Sequence, residues 1–360
     1  MSEFGIMNKE LGIVQRQAID ELRDAGIDSA ELDVSVLLCE ILGKDKTFLL
    51  THPNDQLTNS QFNHFTKLIN RRLKNEPVAY ITGHKEFYGT DFLVNKNVLI
   101  PRPESEMLVE LALQRIKNFE LRIKNNPKIH NSKFNILDLG TGSGCLAISI
   151  ALAAMELGIR NYELGIFASD ISRKALNVAK KNADRLLPRP VISTHFESTV
   201  GWAEKGEKSQ RFEKNITIKF IHSDLFSNPK LHTKYDLIIA NLPYVPDCHF
   251  DSPIFQSGAE KSSENQKISR LANAARDDKL NSISFEPSTA IFAPDNGTSV
   301  IKKFLHEVHP FLQQTSLLLL EVDPRNAKEL LNYSKNIFPN AKIELKKDLA
   351  GLDRCLIIEN

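Results

Sequence analysis

The segment from Phe134 to Met155, FNILDLGTGSGCLAISIALAAM, constrains the fold more than any other. An apolar strand, Ile136-Leu137-Asp138-Leu139, runs into three alternate glycines, Gly140, Gly142 and Gly144, and then into a helical run beginning at Cys145. Glycines at that spacing let a backbone turn sharply and approach a ligand without a Cβ in the way. From Lys133 onward, strand and helix patterns alternate, which predicts a parallel sheet covered by helices. The further strand candidates are LGIFASD, ITIKFIHSD, YDLIIAN, SLLLLEV and the terminal LIIEN, with Ile343–Lys347 pairing to the last of these through a turn at Gly351.

The N-terminal part has a different period. Between Leu11 and Arg72 apolar residues recur at helical spacing (Leu32, Val36, Leu37, Ile41, then Phe62, Phe65, Leu68, Ile69), with breaks at Gly26, Gly43 and Pro53. This predicts a small helical domain whose last helix carries Lys67, Arg71, Arg72 and Lys74 as a solvated face. Phe87, Tyr88, Phe92, Val94, Val98 and Ile100, with a turn at Gly89-Thr90, predict a hairpin linker. Pro101 and Pro103 then precede a helix starting near Glu104. Two polar stretches, about 188–215 and 247–284, read as surface insertions.

Charge and cysteine content narrow the function classes. Lys and Arg total 46 against 45 for Asp and Glu, so no global basic field advertises nucleic acid. Cys39, Cys145, Cys248 and Cys355 stand far apart, so neither a zinc site nor a disulfide framework is expected, and no metal is. The first residues are polar and acidic where a secretory signal would be basic and then apolar, and the run Leu317–Val322 is too short to span a bilayer. A cytoplasmic protein is expected.

The glycine loop has the form DxGxGxG rather than the GxGxxG of dinucleotide sites, so it is tighter and has an acid two residues before its first glycine. A methionine–nucleoside cofactor suits that loop: it needs less room than a pyrophosphate, plus carboxylates for its amino group and ribose. Asp138, Gly140, Thr141, Gly142, Ser143 and Gly144 are therefore candidate cofactor contacts. Asp170, ending the second strand, can accept two hydrogen bonds from a ribose diol, and Asp224 with Leu225, after the third, can hold an adenine edge and face. Any one such Asp would read as a helix cap or turn residue. Three acids at successive strand ends beside this loop favour a cofactor.

The fourth strand delivers Asn241-Leu242-Pro243-Tyr244 to the same edge. An amide or aromatic amine nitrogen is a poor nucleophile, because its lone pair is delocalised. The Asn241 side-chain oxygen and the Leu242 carbonyl can each accept one N–H of such a group and fix its plane. Pro243 stiffens the loop and Tyr244 offers a flat face for stacking. Methyl transfer to a planar nitrogen fits, driven by orientation and proximity.

DLGTGSG together with N-x-P-Y resembles the class I S-adenosylmethionine-dependent amino-methyltransferases. The flanking EPVAYITGHKEFYGTDFLVNKNVLIPRPESEMLVE, Phe285-Glu286-Pro287 with Ala290, and DLAGLDR are similar to the release-factor glutamine N5-methyltransferases of the HemK type, as is the helical stretch. The resemblance implies that Gly140–Gly144, Asp170, Leu225 and Asn241 contact S-adenosylmethionine. It implies that Asn241, Leu242, Pro243 and Tyr244 clasp the glutamine of a GGQ motif in a class 1 peptide-chain release factor. Two positions depart from the family pattern: Leu242 stands where Pro is usual, and Leu225 where an aromatic is frequent.

The expected architecture is an α/β, seven-stranded, mostly parallel Rossmann-like methyltransferase sheet (104–360), a helical substrate-recognition domain (1–76) and a β-hairpin linker (77–103). The expected protein is a monomer, with a release factor as partner and no membrane or direct nucleic-acid binding. An adenine N6-methyltransferase acting on DNA, rRNA or tRNA stays open as the alternative, because it uses the same Asn-x-Pro-aromatic device. A nucleotide-dependent oxidoreductase would need GxGxxG, and a non-catalytic scaffold would show a damaged loop or Asn241.

Overall fold

The computed structural model describes residues 9–125, 133–158, 162–188, 215–246 and 284–360. The two expected insertions, and Cys248, lie outside the described residues except at the insertions' edges. The chain divides into two compact units: of the described residues, 9–84 and 284–286 belong to the first and the rest to the second.

Among the described residues the first unit contains five helices, α1 (Leu11–Asp24), α2 (Ala30–Leu42), α3 (Lys46–Thr51), α4 (Asn59–Arg72) and α5 (Val78–Thr82). Leu11, Val14, Ala18 and Leu22 form the buried stripe of α1, spaced three to four residues apart. A reciprocal capping box starts α4: the Gln61 backbone N–H donates to the Thr58 hydroxyl, and the Thr58 N–H to the Gln61 side chain. These faces meet in one core with Leu37, Phe65 and Ile69.

The basic end of α4 differs from the expected solvated face. Lys67 and Lys74 are exposed, but Arg72 is buried and its Nε lies 2.7 Å from Asp33 Oδ2, which also accepts from Ser29 Oγ at 2.8 Å. Arg71 grips Glu76 with two nitrogens and donates to the carbonyls of Tyr80 and Ile81. Planar guanidinium groups with several donors explain why the arginines turn inward where the lysines do not.

The hairpin is β1 (His84–Phe87) and β2 (Thr90–Leu93). Its turn is Tyr88-Gly89, one residue earlier than expected, with φ of 50° and 69°, the left-handed geometry that matches strand twist. Val94, Val98 and Ile100 are buried but lie outside the strands, and Val78–Thr82, expected within the linker, is helical. Phe87 and Phe92 insert into the core of the second unit.

Among the described residues that unit holds a seven-stranded sheet of β3 (Lys133–Leu139), β4 (Glu163–Asp170), β5 (Ile216–His222), β6 (Tyr235–Ala240), β9 (Leu312–Glu321), β10 (Lys342–Lys347) and β11 (Asp353–Glu359), with the two-residue strands β7 (Val245–Pro246) and β8 (Phe292–Ala293) paired outside it. Its order is β5-β4-β3-β6-β9-β11-β10. The first five run parallel, and β11 is antiparallel to both β9 and β10. Leu237 and Ile239 face the core on one side, while Ile238 and Ala240 face the core on the other. Burial on both faces is why Leu237–Ala240 of β6 read as an unbroken apolar run. Helix α6 (Glu106–Asn125), α7 (Cys145–Glu156) and α8 (Arg173–Leu186) supply residues to the first core, and Ser299–Glu307 and Ala327–Ile337 to the second. Chain direction reverses its progress between β3 and β6, so the carboxyl ends of these strands open a crevice where ligands gather in such sheets. Among the described residues no helix is long and apolar enough to cross a membrane.

Candidate active site

A cavity of about 330 Å³ lies at that carboxyl edge. Its walls include the glycine loop, Asp170, Asp224, Leu225 and the Asn241–Pro243 segment.

The loop is left-handed at each glycine, with φ of 78°, 57° and 82° at Gly140, Gly142 and Gly144. The Gly140 and Thr141 N–H groups both donate to the Ser169 carbonyl, each at 2.8 Å, tying the loop to the end of β4. A Cβ on Gly144 would lie 3.1 Å from that of Ala179, so this glycine lets α7 and α8 approach closely. Asn182, buried on α8, donates to the carbonyls of Ser143 and Leu93 and accepts from the Leu93 N–H. One amide therefore binds the glycine loop to the hairpin.

Asp138 departs from its expected role as a cofactor contact. It is wholly buried beneath the loop, away from the cavity wall, and its Oδ2 accepts from Thr141 Oγ1 (2.6 Å) and the Ala147 N–H (3.2 Å). Burial pushes its carboxyl up to about 7, against the lowering effect of those hydrogen bonds. Asp138 shapes the loop.

Asp170 lies in the cavity wall, half-buried. Its Oδ2 accepts from the Gly142 N–H at 2.9 Å and its Oδ1 from the Ser172 N–H at 2.7 Å. Burial raises its carboxyl, and the two amide hydrogen bonds with nearby His222 act in the opposite direction. Each oxygen keeps a lone pair for a further donor, as a diol requires. Asp224 is exposed and lies 3.5 Å from Lys303 Nζ. Leu225 is buried, and its φ of 44° is a conformation that costs a branched side chain energy. The Ser223 hydroxyl holds it by donating to the Leu225 carbonyl at 2.7 Å. Leu225 is one of the residues that line the cavity, where it provides an apolar face.

The Asn241 side chain is held by its nitrogen. Nδ2 donates to Glu321 Oε2 at 2.8 Å and to Ser105 Oγ at 3.0 Å, and Tyr244 Oη donates to Glu321 Oε1 at 3.0 Å. Among the described residues no donor reaches Asn241 Oδ1. Leu242, the position that lacks a proline, is buried, and its Cδ2 lies 3.4 Å from where a Gly140 Cβ would stand, close beside the glycine loop. Pro243 is half-buried in the cavity wall. Beyond it, Val245-Pro246 pairs in parallel with Phe292-Ala293.

Several wall residues were not visible in the sequence as site residues. Ile171 is 57% exposed although large and apolar, and sits in the wall beside Asp170. Arg102 and Ser105 enter from the segment before α6, and Thr289 and Phe292 from beyond the second insertion. Glu321 reads in sequence only as an interruption of an apolar run. Asp295-Asn296-Gly297, three consecutive residues with φ of 54°, 53° and 85°, carried a usable signal, since Asp, Asn and Gly are the types that tolerate this conformation.

The residues present suit an S-adenosylmethionine-sized ligand. A glycine cradle, a carboxylate with free lone pairs and apolar Ile171 and Leu225 would hold its amino-acid, ribose and adenine parts respectively. Fold and site together define a class I S-adenosylmethionine-dependent methyltransferase domain.

Comparison with known proteins narrows the class. Residues 110–241 match the CheR methyltransferase SAM-binding domain, and residues 14–83 match the PrmC N-terminal domain. A release factor glutamine methyltransferase of Leptospira interrogans is 32% identical, over 94% of this chain and 93% of its own. One from Bacillus anthracis is 26% identical over 90% of each chain. The chain belongs to the release factor glutamine methyltransferase family. A bifunctional methyltransferase of Rickettsia conorii is 31% identical over 94% of this chain, which spans 56% of that relative's length.

Proposed function

We propose that the protein methylates the side-chain nitrogen N5 of the glutamine in the GGQ motif of a class 1 peptide-chain release factor, in the cytoplasm. The observation that carries this reading is the anchored Asn241 amide: with Nδ2 committed to Glu321 and Ser105, Oδ1 is the atom left to accept an N–H. The family's named activity gives the acceptor as glutamine.

Asn241 Oδ1 and the Leu242 carbonyl each take one hydrogen of the acceptor NH2 and set its plane. Tyr244, tethered at its hydroxyl, offers its ring to the flat amide. S-adenosylmethionine, when bound, supplies an electrophilic methyl group. Holding the amide with its nitrogen toward that methyl replaces a rare encounter by a fixed one, and two acceptors stabilise the positive charge that develops on nitrogen. The proton leaves after methylation, when it has become acidic, so no strong base is required. The helical unit, by its family match, would recognise the folded partner.

The test is to incubate the protein with labelled S-adenosylmethionine and either purified release factor or undermodified nucleic acid. Label on the release-factor glutamine is expected. Label in nucleic acid alone would replace this reading with the adenine one.

A further inference from the structure

We infer that Glu321 is the positioning residue that decides which atom of the Asn241 amide faces the acceptor, an inference that rests on the amide-clasp reading above. Glu321 is the last residue of β9, whose Leu320 pairs with Ala240 of β6, so sheet register delivers the carboxylate beside Asn241. On its other flank it pairs with Cys355 of β11. The side chain is buried.

An Asn amide has two nearly isosteric ends, and only its hydrogen-bond partners decide which points where. A carboxylate accepts and cannot donate. The single hydrogen of the Ser105 hydroxyl is given to Glu321 Oε2, which leaves that hydroxyl only able to accept from Asn241. Both partners of Nδ2 are therefore acceptors. Rotating the amide by half a turn would set Oδ1 against two oxygens, one of them charged, and would lose two hydrogen bonds. In that rotated state the amide would present N–H to N–H of the acceptor. Oε1 meanwhile holds Tyr244 Oη, so the accepting amide and the stacking ring hang from one carboxylate.

Burying a carboxylate is costly, and here burial raises its proton affinity while the hydrogen bonds from Ser105 and Tyr244 and nearby Arg354 counter the rise. An apolar residue at the end of β9 would avoid that cost, like its apolar neighbours Leu317–Leu320. Three donors converging on one group are the compensation, and two of them belong to the clasp.

Two readouts test this. In Glu321→Met, which has no comparable acceptor, kcat for methyl transfer should fall at least about 30-fold while the donor's dissociation constant stays within about twofold. Combining it with Asn241→Ala should cost clearly less than the sum of the two separate losses, because most of the effect runs through that amide and only the Tyr244 tether adds to it. Glu321→Gln, which keeps one acceptor oxygen for Asn241, should retain more activity. The second readout is hydrogen exchange of the Asn241 side-chain amide followed by NMR without substrate: slow in the parent protein, fast in the Met variant. An unchanged kcat, additive losses, or unchanged amide exchange would overturn the inference. Should the Met variant not fold, Ser105→Ala loosens the same amide and is judged by the same exchange measurement. If the parent protein labels no release factor, the exchange result still decides the role of Glu321 separately from the substrate reading.

Discussion

Gly297 lies so close beneath Tyr244 that a Cβ added to it would stand 2.0 Å from the Tyr244 carbonyl oxygen and 2.6 Å from its carbon. The glycine is left-handed, at the end of Asp295-Asn296-Gly297, which is held by Lys302 on Asp295 and by Asn326 Nδ2 on the Asn296 carbonyl. The backbone of the clasp thus rests on a turn more than fifty residues further along the chain.

Gly297→Ala should therefore displace the clasp. Methyl transfer is expected to fall at least about tenfold, with stability lowered by about 2 kcal/mol or more, since both the contact and φ are forbidden to a side chain. Steady-state kinetics and denaturant unfolding check both effects.

Asp170→Ala should weaken S-adenosylmethionine binding by at least about tenfold, equivalent to about 1.4 kcal/mol. It removes the ribose acceptor and also the group that fixes the Gly142 N–H. Asp224→Ala should do less, because Asp224 is exposed and faces Lys303. Titration calorimetry with the donor would rank them.

Asp138 makes stability depend on pH. Its folded-state carboxyl holds its proton to about 7, whereas in the unfolded chain it is lost near the ordinary 3.8. Between those values the folded protein binds the extra proton, so this group makes stability fall as pH rises, by at most about 1.4 kcal/mol per pH unit, and contributes no slope above the folded value. Asp138→Asn should flatten that part of the profile, measured by unfolding from pH 4 to pH 8 relative to the parent protein.

Arg72 and Asp33 form a buried pair in the helical unit. Arg72→Met alone should cost about 3–5 kcal/mol by leaving a buried carboxylate uncompensated, while the double replacement with Asp33→Leu should cost much less. Chemical denaturation of the single and double variants measures this.

Much of this architecture was legible in the sequence, for identifiable reasons. The inner strands of the large sheet were visible because burial on two faces writes an apolar run, the exposed edge strand β10 only through its pairing with the terminal LIIEN, and the left-handed glycines of DLGTGSG announce the loop. What escaped were relations that only register and packing create. Glu321 is an anonymous acid until β9 pairs with β6. Arg72 looks like its neighbours Arg71 and Lys74 until Asp33 meets it across the unit. Asp138, expected as a cofactor contact, is instead buried away from the cavity wall, bound to Thr141 and the Ala147 N–H. Leu242, a departure from the family's proline, is buried close beside the glycine loop.

The proposed role of Asn241 is that of an acceptor clasp for a glutamine amide. The most direct measurement is mass spectrometry of the GGQ peptide from a release factor incubated with S-adenosylmethionine and either the parent protein or Asn241→Ala, alongside donor binding by both. One added methyl on the glutamine is expected with the parent protein, none above background with the variant, and donor dissociation constants within about threefold of each other. Equal methylation by the two proteins would rule out the Asn241 clasp.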